Sequence, residues 1–514
     1  MGSFSTIRAS RQSGVWLVRL FILGGVLALL IYFSWLADVR RWYSPLPLLV
    51  LITAVIYASI QLLGNWYLYL RARCPTPPPN PPPNLTVDVF ITTYDEPVEM
   101  VERNLQAACA MKGSHRTWLL DDSANPDLEH LAAQLGTGYL ARDNRDHAKA
   151  GNINAALAQT TGEIVAIFDT DHVPAEDFLE RTLGHFHNPK IGFVQVMLTF
   201  NNGEESWVAR AAMETSLEYY NPTSLGNEAV GGTTLMGSNA LLRRAALETI
   251  GGYQPGLAED LATSIQLHAA GWQSAYVAEP LAPGIAPPSF NAWFLQQMKW
   301  ARGVFELLIT AYPRLFFHLT WGQRLTYITR MTRYWIGPVI GLHLFATIFI
   351  LIFGSRGMRD AFHEYLIYLV PVALFDAAIR GIALRTWRHE TTPTSSLLGA
   401  ITLVYATWPI YLMAWLMAVL RQPLAFRPTP KKVSGMLSPI WLLPQVGAII
   451  LLTGGVIYTV VVGQHRPSLL LFFAIIQGTL QLILLIRWWH TEFITLVKRT
   501  DRSALLSLSK PIRR

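Results

Sequence analysis

Cysteine is almost missing from this chain: Cys74 and Cys109 are the only two among 514 residues. They are too few and too poorly spaced for a disulfide framework or a zinc site, which excludes redox chemistry and thiolate metal centres. Charge is scarce too. Only 15% of residues are Asp, Glu, Lys or Arg against 51% hydrophobic, a balance too apolar for an ordinary soluble enzyme and one that points to a polytopic membrane protein carrying one sizeable domain. The net charge of +7 does not argue for nucleic acid as a partner, because the basic residues cluster beside apolar runs, where they face anionic lipid. No small-residue cleavage site follows the first apolar run, which starts near Val15 after Arg8 and Arg11. That run reads as a retained anchor.

What is present divides the chain into zones. Residues 1–74 contain two membrane-length runs, Val15 to Ala37 and Pro47 to Leu70, forming a helical hairpin. Arg71 and Arg73 mark its cytoplasmic end. The proline-rich stretch 75–84 is a stiff polyproline II spacer. From 85 to 290 short β-branched runs alternate with helical stretches: Val87 to Thr93, Thr117 to Leu120, Ile164 to Phe168 and Gly192 to Leu198. This is the signature of βαβ units, in which ligands bind at the carboxyl ends of the strands. Residues 291–333 read as amphipathic helices lying in the interface. Apolar runs then return over 334–488. The loop Arg385 to His389, the segment Arg427 to Lys432 and the tail 489–514, from Lys498 on, are all basic and so expected in the cytoplasm, yet if every run crossed, the tail would lie across the bilayer from the catalytic domain. The run 397–420, interrupted by Pro409, is therefore expected to lie in the interface, leaving six crossings in all.

The polar zone holds acidic residues just past the strand-like runs. Asp169 and Asp171 follow Ile164-Val165-Ala166-Ile167-Phe168 and, two apart, share a face. That placement suits a divalent cation, Mg²⁺ or Mn²⁺, neutralising a departing pyrophosphate. Asp260, beside Glu259 in the first turn of a helical run, is the candidate base for an acceptor hydroxyl. In Gln296-Gln297-Met298-Lys299-Trp300, Trp300 can stack on an acceptor sugar, with Gln296 beside it, while Lys299 and Arg302 can pair with pyrophosphate. Asp121 or Asp122 is expected at the base or ribose of a nucleotide. Lys149 reinforces the positive end of a helix starting near His147. Thr92, Tyr94, Asp95 and Glu96, closing the first strand, complete the expected nucleotide-sugar site.

These motifs resemble those of the family 2 processive glycosyltransferases, the group of cellulose, hyaluronan and chitin synthases and related β-glucan synthases. Phe168-Asp169-Thr170-Asp171-His172-Val173-Pro174 looks like the FDADHVP segment of cellulose synthases. Met236-Gly237-Ser238-Asn239-Ala240 followed by Arg243-Arg244 resembles their acceptor-side CGSNAVLRR stretch, and Phe426 to Lys431 resembles the FxVTxK gating loop, here expected over 424–437. Ala258, Lys299 and Pro428 stand where the family has Thr, Arg and Val, and Val194 to Phe200 retains little of a QTPHF-like segment.

The resemblance implies an α/β GT-A-type glycosyltransferase domain inserted in an α-helical polytopic membrane domain, binding a UDP-sugar and Mg²⁺ or Mn²⁺. Asp121 would meet the uridine side, Asp169 and Asp171 the diphosphate and metal, Asp260 the acceptor as base with Glu259 beside it, and Gly237, Ser238 and Trp300 the acceptor end. Thr429 and Lys431 would touch the nucleotide when the loop inserts. The expected partners are UDP-glucose, a growing glycan chain, membrane lipid and an accessory export subunit. The expected location is the plasma (inner) membrane, with the catalytic domain cytoplasmic and regulation supplied from outside the chain. The expected activity is inverting polymerisation of UDP-glucose into a β-glucan coupled to translocation. The alternatives are a non-processive glucosyltransferase forming a glycolipid and a catalytically silent transporter or scaffold.

Overall fold

The computed structural model describes residues 2–38, 45–73, 77–353, 362–390, 398–425, 429–430, 438–462 and 468–508. Among them the polar zone folds around a sheet of seven strands in the order β3-β2-β1-β4-β7-β5-β8. The strands are β1 (Val87–Thr93), β2 (Arg116–Asp121), β3 (Gly138–Ala141), β4 (Ile164–Asp169), β5 (Ile191–Val196), β7 (Ala240–Arg243) and β8 (Gln273–Val277), while β6 (Thr199–Phe200) and β9 (Pro283–Gly284) make a separate two-stranded ribbon. All pairings in the large sheet are parallel except those of β7, which runs antiparallel between β4 and β5.

β1 and β4 are almost wholly buried because both sheet faces are covered. On one face Val89, Ile91, Ala166 and Phe168 pack on Val101, Leu105, Leu128 and Phe178 of flanking helices. On the other, Phe90, Val165 and Ile167 pack on Ala150, Ile153 and Leu247. The register sets Thr92 beside Asp169 and Thr93 beside Asp121, so the carboxyl ends of β1, β2 and β4 finish level. The turns that follow them share one edge.

Six helical stretches among the described residues are long and apolar enough to cross a membrane: Ser13–Leu36, Leu49–Arg71, Trp321–Phe353, His363–Trp387, Pro439–Val461 and Leu470–Thr491. The protein is membrane-embedded. The pair Leu398–Ala406 and Trp408–Val419 is bent by 44° where Pro409 cannot continue the hydrogen-bond ladder of the preceding helix. Two expected boundaries differ. The polar Trp321–Thr332 helix passes through a single tight turn, Arg333–Trp335, into the apolar Ile336–Phe353 helix, so the division placed at 333 falls inside one stretch. The tail expected from 489 continues the helix Ser468–Leu508.

The Phe290–Ile309 helix joins the two parts. Its Trp293, Phe294, Met298 and Phe305 pack against Ile410, Tyr411 and Ala414 of the bent pair, and Ser289 caps its start by accepting from Ala292 N at 3.3 Å.

Candidate active site

The level strand ends open into a cavity of about 460 Å³. Of the residues expected to form a site, Thr92, Tyr94, Glu96, Asp122, Lys149, Asp169, Asp171, Gly237, Ser238, Glu259, Asp260, Gln296, Lys299, Trp300 and Thr429 all line it.

Three others do not, each for a visible reason. Asp121 is completely buried: one carboxylate oxygen accepts from Ser123 N at 2.7 Å and from the Ser123 hydroxyl, the other from Asn125 N at 2.8 Å and Tyr139 Oη at 3.0 Å. It shapes the turn after β2 and is absent from the cavity wall. Arg302, also buried, donates to the Gln422 carbonyl at 3.0 Å and to Glu306 at 2.8 Å, one helical turn round from Lys299 and facing the bent helix pair. Asp95 sits exposed on a left-handed backbone position, φ 62°. Lys431 lies outside the described residues, as do 426–428 and 432–437 of the gating segment.

Asp169 ends β4 with its side chain 38% exposed, paired to Lys149, while Thr92 Oγ1 donates to it at 3.3 Å. Asp171 is buried and accepts from Ile285 N at 3.2 Å. The turn that carries both is held from below: the amide nitrogen of buried Asn104 donates to the carbonyls of Asp169, Thr170 and His172 at 3.2, 3.2 and 2.6 Å. Lys149 enters from the first turn of the Ala148–Leu157 helix, which begins after His147 at φ 61°. It also donates to the Gly237 carbonyl at 2.6 Å; Gly237, at φ 87°, adopts a backbone conformation that a side chain would strain. Burial pulls the Lys149 ammonium down, yet Asp169, Glu259 and Asp260 together hold it above its ordinary value. It stays a cation.

Glu259 and Asp260 open the Glu259–Ala269 helix. Burial raises both carboxyls above their usual range; for Glu259 the neighbouring Asp260 adds to this, while Lys149 and Lys299 oppose it. For Asp260 the opposing charges are Arg330, 3.7 Å away, and Lys149. Two like carboxylates in one buried turn cannot both ionise cheaply. Trp300 remains 38% exposed, leaving ring area for a ligand to cover.

Asp122, expected at the nucleotide, lines the cavity but is clamped two-fold by Arg142, at 2.6 and 2.8 Å. Other residues on the wall escaped sequence reasoning. Arg145 stands over the Tyr94 ring at 5.3 Å. Tyr219, Tyr220, Arg330 and Arg333 also face the cavity. For the two arginines a signal existed: cations leading into an apolar span are costly unless they serve the interior. The arginines of the Arg243-Arg244 pair instead brace the fold, Arg244 bonding Asp88 at 3.2 Å and Arg243 the Ile191 carbonyl at 3.0 Å.

Comparison with known proteins agrees with this geometry. Residues 82–303 match the model of "Glycosyltransferase like family 2". Cellulose synthase 1 of Komagataeibacter xylinus is 31% identical over 400 residues, 74% of this chain and 26% of that protein. The cellulose synthase catalytic subunit (UDP-forming) of Pseudomonas fluorescens is 35% identical over 314 residues, 59% of this chain and 42% of the relative. The chain thus spans less than half the length of these relatives. Among solved structures, a mannosyltransferase from Pyrobaculum calidifontis in complex with GDP-Man and Mn²⁺ superposes with a TM-score of 0.50 at 17% identity, covering 73% of this chain and 99% of that one, which establishes a shared GT-A-like fold. Residues 82–303 are a glycosyltransferase family 2 domain, and the chain that carries them is a homologue of bacterial cellulose synthase catalytic subunits.

Proposed function

We propose that this protein is an inverting, processive glucosyltransferase that extends a β-glucan from UDP-glucose and passes the product through its own helical bundle. The observation that carries the reading is the gathering, around one cavity, of the Lys149-Asp169-Asp171 group, the Glu259-Asp260 turn and Trp300. Separated in sequence by well over half the length of the domain, they are the three parts that sugar transfer from a nucleotide needs: a seat for diphosphate, a base and a platform for the acceptor.

Mg²⁺ or Mn²⁺ fits the donor set. Asp169 and Asp171 offer hard carboxylate oxygens, and among the described residues no group of three or more His, Cys, Asp or Glu side chains encloses a metal. A cation held here would take most of its ligands from phosphate and water, the usual habit of Mg²⁺ at nucleotides. Once bound, it would neutralise charge on the departing diphosphate.

The protein's own groups divide the remaining work. Lys149 stays protonated beside the diphosphate seat, and Lys299 adds a second cation. The acceptor hydroxyl, aimed by stacking on Trp300, gives its proton to Asp260 as its oxygen bonds the anomeric carbon. The bond from that carbon to the diphosphate oxygen breaks, and UDP leaves. Thr429 and the gating segment would close over the nucleotide.

A pH dependence follows. The working form of Asp260 is the carboxylate, and burial raises its pKa, so protonation silences the base at a higher pH than for an exposed Asp. Initial transfer rates should rise with pH along an acid limb displaced above the ordinary carboxylate range. A limb at the ordinary position would contradict the buried base.

Incubation of the purified protein with UDP-glucose and Mg²⁺ tests the reaction. Insoluble, glucanase-sensitive polymer supports it; a chloroform-extractable glycolipid would replace it with single-sugar transfer, and no UDP release would leave only a silent scaffold.

A further inference from the structure

Arg380 and Asp376 lie inside the apolar His363–Trp387 stretch, where ionisable side chains are costly and mark function by default. Asp376 accepts from Arg380 Nε at 2.7 Å and from Trp66 Nε1 at 3.0 Å. Arg380 then reaches out of its own helix to pair with Glu218, which also accepts from the Tyr69 hydroxyl. Glu218 belongs to the catalytic domain: it is the last residue of the Trp207–Glu218 helix. Arg380 and Glu218 keep only 26% and 27% of their side-chain surface.

Directly after Glu218 the chain forms a π-helical turn, Tyr219–Thr223, with Pro222 inside it. Such turns are rare and concentrate at functional sites. Its first two residues, Tyr219 and Tyr220, line the cavity. One helix fastens the turn to the membrane part at two points, beside the Tyr69 contact from the Leu49–Arg71 helix. Arg380 holds Glu218, and just past the end of the Phe362–Trp387 helix, His389 N donates to the Asn221 side chain at 3.1 Å. From the turn the contacts continue inward. The Arg330 guanidinium stands over the Tyr219 ring at 5.6 Å, donates to Thr234 and to the Leu235 carbonyl, and lies 3.7 Å from Asp260.

The geometry points to the Glu218–Arg380 pair, backed by Asp376, as a positioning device that sets the Tyr219–Tyr220 wall, and through Arg330 the Asp260 carboxylate, according to the pose of one membrane helix. A shift of that helix moves both fastenings together, so the π-turn follows it. For its effect on transfer this inference rests on the proposed glucosyltransferase reaction.

The test uses the full chain in lipid nanodiscs, with the double variant Glu218→Gln/Arg380→Gln, which removes the pair without stranding a lone charge. Transfer from UDP-glucose should fall about tenfold or more, as for other small misplacements of catalytic groups. Affinity for UDP should stay within about twofold, because positioning lost at the acceptor side removes no nucleotide contact. Amide hydrogen exchange should quicken at residues 219–223 while strands β1 and β4 keep their protection. Tyr69→Phe, which deletes only the phenol donor, should move rate and exchange the same way by less, and decides the matter if the double variant does not fold.

Unchanged rate and exchange would overturn the proposal. So would loss of UDP affinity together with faster exchange across the whole sheet, the mark of a merely structural tie. If the wild type transfers nothing from UDP-glucose, the reaction is wrong and the exchange result alone decides: quickening confined to 219–223 supports the device, and its absence ends it.

Discussion

Replacing Asp260 by Asn is expected to stop sugar transfer while leaving UDP binding nearly intact. Asn keeps the size of the side chain, and its amide oxygen can still accept from Leu261 N, as Asp260 Oδ1 does at 2.7 Å. It cannot take a proton. Loss of a general base costs about a hundred- to ten-thousand-fold in rate, and kcat should carry that loss. Neighbouring Glu259 will not substitute readily: burial and its proximity to Asp260 both raise its pKa, although removing the Asp260 charge relieves part of this. UDP affinity, measured by calorimetry, should change little, because the proposed nucleotide seat is built from strand ends and Lys149. If affinity fell as far as the rate, Asp260 would be part of the binding site and the base would have to be sought elsewhere.

The second large effect is expected at the other end of the cavity. Asp169→Ala and Asp171→Ala should each weaken metal-dependent UDP binding by about tenfold or more, since a lost charged contact is worth about 1.5–3 kcal/mol and each 1.4 kcal/mol is a factor of ten. The two variants should differ without metal. Asp169 is paired to Lys149, so its removal frees that ammonium for phosphate and offsets part of the loss, raising metal-independent binding. Asp171 is not in contact with Lys149 in this way, and its variant should show no such gain. Equal metal-dependent affinity in wild type and both variants would remove these carboxylates from the metal site.

Much of this was legible in the sequence because it depends on near neighbours. β1 covers the expected residues 87–93, since a run of β-branched and aromatic residues favours a strand and a turn follows where Tyr94, Asp95 and Glu96 begin. Asp169 and Asp260 were visible for the same reason: one ends an apolar run and the other opens a helix. Asp121 and Arg302 were not. In Asp121-Asp122 the pattern cannot say which carboxylate turns inward to close its own turn, and Arg302 is one helical turn from Lys299, so its fate depends on the Gln422 carbonyl far along the chain. Arg145 and Tyr219 carried no local motif at all, because their place on the wall comes from packing between segments distant in sequence.

By itself, then, the order of residues determined a membrane-embedded chain, an α/β domain within it and the acidic turns that follow its strands and open its helices. Hydrophobic periodicity and strand-end polarity are short-range properties, written over a few residues at a time. Only the tertiary structure decided which carboxylates face the cavity, which are spent on turns, and that Arg380 of a membrane helix pairs with Glu218, the residue before the Tyr219–Tyr220 wall. Those outcomes depend on which oxygen meets which donor across the fold, a matter of distances that strand register and helix packing set and that no local pattern encodes.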